Sequence, residues 1–457
     1  MKRLLQQARW LALIAGMVIL FSPELFSDDL STNGSDPLAT SDSNSVTNGL
    51  NKIAIGEYMD FFIVDGKLKA LGSNRGNEAG FPKEHGNINI PAQTIPTLAD
   101  RTFIDVSCGG YQAIGLDSTG HVWVWGCNNF GEFGIGAPDK ELHLPKQIET
   151  DINGDPFEDV VSVIGGFEFF LALKKDGSVW VWGSSGFDGV IYDSTGMCGN
   201  GDKTKHNVTR PAKVIFPDGV TITQIDASWT MAAALDSTGG VWTWGGGDAV
   251  ENRGTGNHDP STPTKLPKLP SGIKSIAIGV NWNYALDSDG NLWGWGMEGA
   301  YLGIKEAQNA YMPIATPRKL NFPDLNGHVK AVVVSQQSSH ALKDDGTLWG
   351  WGASPMGEVG DGTAHDWTKT NPPTYAWDWH NGEDMIMKPV QVLDDVKTVY
   401  GSSQAAYVFA VKNDGTIWSW GRNKTGVLGN GVMPPSNDAA IHPNKWDVAK
   451  PTQVKPF

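Results

Sequence analysis

The sequence predicts an all-β protein, a seven-bladed β-propeller, and three observations carry that expectation. The pattern W-x-W-G recurs six times, at Trp123–Gly126, Trp180–Gly183, Trp242–Gly245, Trp293–Gly296, Trp349–Gly352 and Trp418–Gly421. A degenerate seventh copy comes first, Asp65-Gly66-Lys67-Leu68-Lys69-Ala70-Leu71-Gly72, with Lys69 and Leu71 where the tryptophans would stand. A proline-led apolar stretch also recurs once per copy, beginning at Pro91, Pro145, Pro211, Pro263, Pro317, Pro389 and Pro451.

Each copy reads as a hairpin. An apolar strand runs into a turn and then into W-x-W-G, as in Ala172-Leu173-Lys174-Lys175-Asp176-Gly177 and Ala341-Leu342-Lys343-Asp344-Asp345-Gly346. Asp-Gly between apolar alternations signals a tight turn, because glycine accepts the positive φ such turns need. In Val179-Trp180-Val181-Trp182 the tryptophans share one face and the valines the other. Both faces are apolar, so the sheet must be covered on both sides, as a propeller blade is by its neighbours. Twelve of the 19 tryptophans fall in these pairs and are expected to be inter-blade core.

The proline-led stretches read as edge strands, where a missing N–H is tolerated. The first hairpin, near Ile53, has no such strand before it, and Pro451-Thr452-Gln453-Val454 has no hairpin after it. The C-terminal strand is therefore expected to complete the first blade and to close the ring. A monomer is expected.

A chain of 457 residues ordinarily divides into two or three domains. Repeats escape that rule, because each unit buries its core against the next. The formal charge is −15, with no run of lysine and arginine to attract a phosphate backbone. Nucleic acid is not expected as a partner; a protein is. Cys108, Cys127 and Cys198 lack metal-site spacing and read as small buried residues, with a Cys108–Cys127 bridge as the alternative.

Lys2, Arg3 and Arg9 precede an apolar run from Trp10 to Phe21, followed by Ser22, Pro23 and Glu24. This is the order of an export signal. Residues 1–27 are read as a signal peptide or an uncleaved anchor, the latter being the one expected tie to a membrane. The rest is expected to be secreted, periplasmic or at the cell surface. Residues 28–51 are rich in Ser, Thr, Asn, Asp and Gly and read as a flexible linker. The propeller is expected over 52–457.

The residues after W-G add a family resemblance. Cys127-Asn128-Asn129-Phe130-Gly131-Glu132-Phe133-Gly134-Ile135-Gly136 and Arg422-Asn423-Lys424-Thr425-Gly426-Val427-Leu428-Gly429-Asn430-Gly431 resemble N-x-x-G-x-L-G-x-G of the regulator of chromosome condensation repeat family. With the A-L-x-x-D-G-x-x-W-x-W-G register, the resemblance covers nearly all of 52–457. It departs at the first copy, at the glycine-altered fourth, and at insertions after Gly183, Gly352 and Gly421. The resemblance implies a seven-bladed propeller. Its eponymous member is a nuclear exchange factor for a small GTPase that also binds chromatin, roles that the export signal and acidity oppose. Secreted bacterial members include protein inhibitors, and these fit the chain better.

The loop before each A-L strand supplies the candidate site. Tyr58, Tyr111, Phe167, Trp229 and Trp282 occupy these loops in the first five copies, and Ser335–Ser338 and Gly401–Gln404 replace them in the last two. Equivalent loops fall on one face, so the aromatics are expected to form an arc at one mouth, with the chemistry of interface hot spots. The resemblance agrees, since inhibitor members place aromatic contacts there. The competing reading is a plug of the central channel.

A second candidate is the insertion 362–388, with His365, Trp367, Tyr375, Trp377, Trp379 and His380. Trp377 and Trp379 could hold a glycan or a protein, which makes a surface glycan-binding or adhesion protein the alternative. Asn33, Asn207 and Asn423 begin glycosylation sequons. No catalytic motif appears, and no cofactor or metal is expected. His340 reads as structural. Ala234–Trp242 also resembles the tryptophan-docking motif of quinoprotein dehydrogenases, without the adjacent cysteines those enzymes carry.

Overall fold

A computed structural model describes residues 50–454, apart from 75–76, 83–84, 137, 139–141, 187–196, 203–206, 247–252, 257–258, 298, 305–311, 365–384 and 433–445. Residues 1–49 thus lie outside the described residues, as do Trp377 and Trp379; Leu50 and Asn51, expected as linker, instead begin the first strand. No helix among the described residues is long and apolar enough to cross a membrane.

Seven four-stranded antiparallel sheets follow one another along the chain. Blade 1 holds β1 (Leu50–Ile55), β2 (Met59–Val64), β3 (Lys67–Gly72) and β4 (Ile88–Thr94). Blade 2 holds β5 (Phe103–Cys108), β6 (Gln112–Asp117), β7 (Val122–Cys127) and β8 (Leu142–Gln147). Blade 3 holds β9 (Val160–Gly165), β10 (Phe169–Lys174), β11 (Val179–Gly183) and β12 (Val208–Lys213). Blade 4 holds β13 (Ile222–Ala227), β14 (Met231–Asp236), β15 (Val241–Gly245) and β16 (Thr264–Lys265). Blade 5 holds β17 (Ile273–Ile278), β18 (Trp282–Asp287), β19 (Leu292–Gly296) and β20 (Ile314–Lys319). Blade 6 holds β21 (Val329–Val334), β22 (Ser338–Lys343), β23 (Leu348–Ala353) and β24 (Met385–Leu393). Blade 7 holds β25 (Val396–Tyr400), β26 (Tyr407–Lys412), β27 (Ile417–Gly421) and β28 (Val448–Gln453). The first strands of neighbouring blades touch in sequence, and β25 touches β1, so they form the inner ring.

The closure differs from expectation. The C-terminal strand β28 does not enter blade 1. It pairs with β27 of its own blade, Trp418 opposite Gln453, while β4 completes blade 1 by pairing with β3, Lys69 opposite Thr94. Each proline-led strand follows its hairpin as the fourth strand of the same blade. Seven hairpins and seven edge strands therefore match in step, with no offset. Side chains seal the seam instead. Ile53, Ile55 and Phe62 of blade 1 pack with Tyr407, Phe409 and Ile417 of blade 7. The Tyr407 hydroxyl lies 2.5 Å from the Gly56 carbonyl oxygen and 2.8 Å from Asp60 Oδ1. Asp60 is fully buried, and burial pushes its carboxyl well above the usual carboxylate range. The phenol thus ties blade 7 to the first turn of blade 1 through both oxygens.

The tryptophan pairs divide: the second members and Trp242 are buried core as expected, whereas Trp123, Trp180, Trp293, Trp349 and Trp418 are half-buried. The second Trp of each pair is fully buried: Trp125, Trp182, Trp244, Trp295, Trp351 and Trp420. Several reach across to the preceding blade, since indole N–H groups seek acceptors when buried. Trp125 donates to Glu78 O (3.1 Å), Trp182 to Glu132 O (2.8 Å) and Trp420 to Glu358 O (3.0 Å). The first Trp is anchored at its own turn, as Trp123, Trp242 and Trp293 are by Asp117, Asp236 and Asp287. The supposed docking motif at 234–242 is one instance of this shared turn. The closing glycine has a strict role. Gly126 has φ +97°, and a Cβ there would fall on the Tyr111 carbonyl oxygen.

Cys108 and Cys127 are free thiols, so the alternative of a bridge between them is not realised. His340 is structural, as expected: it is fully buried, its Nε2 lies 3.1 Å from Val359 O, and burial lowers its pKa to about 4.

Candidate functional site

The loops joining first and second strands gather at one end of the inner ring. Each is a short turn closed by a backbone bond, such as Gly109 N to Gln112 O (2.8 Å) or Ser228 N to Met231 O (2.8 Å). Bonds also run between blades, from Gly110 N to Phe167 O (2.8 Å), Phe167 N to Trp229 O (3.4 Å) and Gln336 N to Ala405 O (2.7 Å). The end of the channel is thus a hydrogen-bonded assembly of loops.

Four of the five expected aromatics form one continuous row. Tyr58 stacks on Tyr111 at 5.9 Å between centroids, Tyr111 meets Phe167 edge-on at 6.2 Å, and Phe167 meets Trp229 at 5.2 Å. These are the offset and edge-to-face contacts aromatic quadrupoles favour. Exposure grades along the row. Tyr58 and Tyr111 are half-buried, whereas Phe167 is 4% and Trp229 9% exposed. Trp229 Nε1 donates to Ser403 O of blade 7 at 3.0 Å, which bolts blade 4 to the far side of the ring. The row is therefore a plug at Trp229 and an accessible surface at Tyr58 and Tyr111.

Trp282 stands outside the row. Trp229 lies two residues before its strand, whereas Trp282 is the first residue of β18, so Val280 takes the equivalent place and packs with Phe167 and Trp229. Trp282 is 2% exposed, stacks on Tyr301 at 4.2 Å and donates to Ser339 Oγ at 3.0 Å.

Charge surrounds the accessible end. Lys424 Nζ sits 5.0 Å from the Tyr58 ring centroid, a cation–π contact across the seam. Burial, then the Glu57 carboxylate, raises the Tyr58 phenol, and the same causes push Tyr111 up to about 12. Glu168, next to Phe167, lies well above the carboxylate range because it is buried beside Glu132. Both phenols stay neutral at physiological pH and can donate hydrogen bonds.

Sequence reasoning missed the Trp229–Ser403 bond, which links residues 174 positions apart. It also missed Lys424, whose place over Tyr58 depends on the ring closing. Asn423 is fully buried and its amide donates to Val432 O at 3.1 Å, so this sequon is closed to glycosylation in the folded state.

Comparison with known proteins agrees with the architecture. The profile of the RCC1-like domain matches residues 67–455. The chain is 25% identical over 354 residues to the RCC1 domain-containing protein RUG3, mitochondrial, of Arabidopsis thaliana, covering 75% of this chain and 70% of that one. It is 26% identical over 388 residues to the guanine nucleotide exchange factor SRM1 of Saccharomyces cerevisiae, covering 77% and 74%. The structure of Prp20p from Saccharomyces cerevisiae, described with its binding properties to Gsp1p and histones, superposes with a TM-score of 0.65 at 22% identity, covering 89% of this chain and 88% of that chain.

Proposed function

The chain belongs to the RCC1-like domain family, and we propose that it is a protein-binding module that engages its partner through the Tyr58–Tyr111 end of the aromatic mouth. Propellers of this family generally serve as protein-interaction or exchange-factor modules. The observation that carries the reading is the graded row. Phe167 and Trp229 hold the inner end rigid, and the two tyrosines continue it outward as half-exposed rings with phenolic donors. Rigid aromatics with a polar handle bind at little entropic cost, because they are ordered before the partner arrives. In this reading the chain binds and does not catalyse. It acts outside the cytoplasm, a location supported by Lys2, Arg3 and Arg9 ahead of the apolar run from Trp10.

The test is affinity capture from the extracellular or periplasmic fraction of the source, read by mass spectrometry, with wild type and the Tyr58→Ala/Tyr111→Ala double variant. The expected result is a partner that wild type retains and the variant binds about 1–3 kcal/mol more weakly, with melting nearly unchanged. Equal capture by both would remove the aromatic mouth as the site.

A further inference from the structure

The aromatic mouth carries a polar feature that the repeat does not call for. The carbonyls of Tyr58, Tyr111 and Glu168 accept the amides of Ser73, Cys127 and Ser184 at 2.7, 3.1 and 2.8 Å, so the three residues are equivalents in blades 1, 2 and 3. Asn281 and Gln337 hold the same place in blades 5 and 6, bonded to Met297 N and Ala353 N. Glu168 thus follows the two half-exposed tyrosines around the mouth, and it is the one carboxylate among these equivalents. Its Oε2 is closed off from solvent and has no hydrogen-bond partner among the described residues, and the same holds for Asn281 Oδ1 and Gln337 Oε1. Leaving a buried acceptor unmet costs stability. The other blades fill this place without a carboxyl, so the fold has no need of Glu168.

The surroundings are of one sign. Burial, then Glu132, places the Glu168 carboxyl well above the usual carboxylate range. The Cys127 thiol is pushed up to about 12 by burial and then by Glu132, Glu78 and Glu168. Tyr111 is raised by burial and then by Glu57, with Glu78 contributing. The charged groups that act most on all three are carboxylates. Glu78 and Glu132 accept from Ser73 Oγ and Phe130 N, both at 2.7 Å, neutral donors that leave their charge in place. The described cations of the mouth stand at the other end of the row: Lys424 lies over the Tyr58 ring, and Arg422 follows the W-G of the same blade.

We propose that the Tyr111–Glu168 corner of the mouth receives a cationic side chain, lysine or arginine, of the partner protein, its N–H groups meeting Glu168 and its charge facing the Tyr111 ring. The proposal rests on the mouth being the binding end. Three donorless acceptors in one circle of loops favour an occupant rich in N–H groups. The aromatic wall favours an organic cation, which the ring quadrupole attracts. Among the described residues no group of three or more His, Cys, Asp or Glu could hold a metal ion. Glu168 is protonated in the free chain and releases that proton as the cation arrives, so binding strengthens as pH rises.

The test pans a phage-displayed random dodecapeptide library on the full chain and measures a histidine-free synthetic copy of an enriched peptide by anisotropy. The expected result is enrichment of Lys or Arg at one peptide position, with affinity falling about tenfold or more in Glu168→Gln. Affinity should rise from about pH 6 to pH 8 for wild type and stay level for Glu168→Gln. Glu158→Gln, exposed at the opposite end of the same blade, should bind as wild type does. Glutamine keeps the shape of the side chain, so melting should be nearly unchanged. Enriched peptides that lack Lys and Arg but still depend on Tyr58 and Tyr111 overturn the cation and leave the mouth as the binding end. Basic peptides whose binding survives both Glu168→Gln and Tyr58→Ala/Tyr111→Ala overturn both readings. An equal loss in Glu158→Gln overturns the site in favour of attraction to the net charge of −15. Displacement of the peptide by calcium chloride but not by tetramethylammonium chloride overturns it in favour of a metal, and so does a library that yields no enrichment.

Discussion

The two mouths of this propeller are built from opposite ends of the same seven strands, and they are built differently. At one end short turns are bonded to one another, and Trp229 crosses the ring to Ser403. At the other, a repeated bulge turns one residue per blade outward, out of register with the neighbouring strand. The first end spends much of its side-chain chemistry on fixing the ring and leaves Tyr58 and Tyr111 as the half-exposed rings of its aromatic row. The second asks little of its side chains, Thr223 bonding Leu235 O at 3.2 Å, so their chemistry varies from Ile to Lys. A repeat fold can thus hold one face rigid while the other varies, because the varied positions lie where the ladder has already been interrupted.

Substitutions can break this comparison, beginning with the largest effect. Trp282→Ala should cost about 3–5 kcal/mol of stability, measured by denaturant unfolding, because it empties a core site stacked on Tyr301. A loss below about 1 kcal/mol would return Trp282 to the accessible mouth. Glu358→Gln probes the buried carboxyls at the aromatic end. Burial raises the Glu358 pKa from 4.5 to about 8, so the folded state keeps a proton that the unfolded chain releases above the ordinary value. Stability should therefore fall as pH rises from about 5 to 8, by a few kcal/mol from this group. The glutamine variant should show a smaller drop in melting temperature over that range. Trp229→Phe is the finest cut. It keeps the ring but leaves the Ser403 carbonyl without its donor, at about 1 kcal/mol, and hydrogen exchange should rise in the 402–406 loop. Unchanged exchange there would mean the bolt contributes nothing to rigidity.

The repeat count, the hairpins and the burial of the second tryptophan of each pair were legible because each rests on local periodicity. The partnership of the proline-led strands was not. Seven hairpins and seven edge strands satisfy either an in-step or an offset pairing, and only the β3–β4 and β27–β28 ladders distinguish them. Trp282 misled for a similar reason. It sits two residues beyond the place equivalent to Trp229, which moves it from the loop into the first position of a strand.

By itself, the sequence determined the blade: alternation, Asp-Gly turns and the W-G glycine are short-range constraints written within a few residues. The tertiary structure decided everything that depends on the ring being closed. Tyr407 meets Asp60, Lys424 meets Tyr58, and Trp229 meets Ser403, at separations of 174 to more than 340 residues. No local pattern can encode such pairs, because they exist only once seven blades have turned the chain full circle.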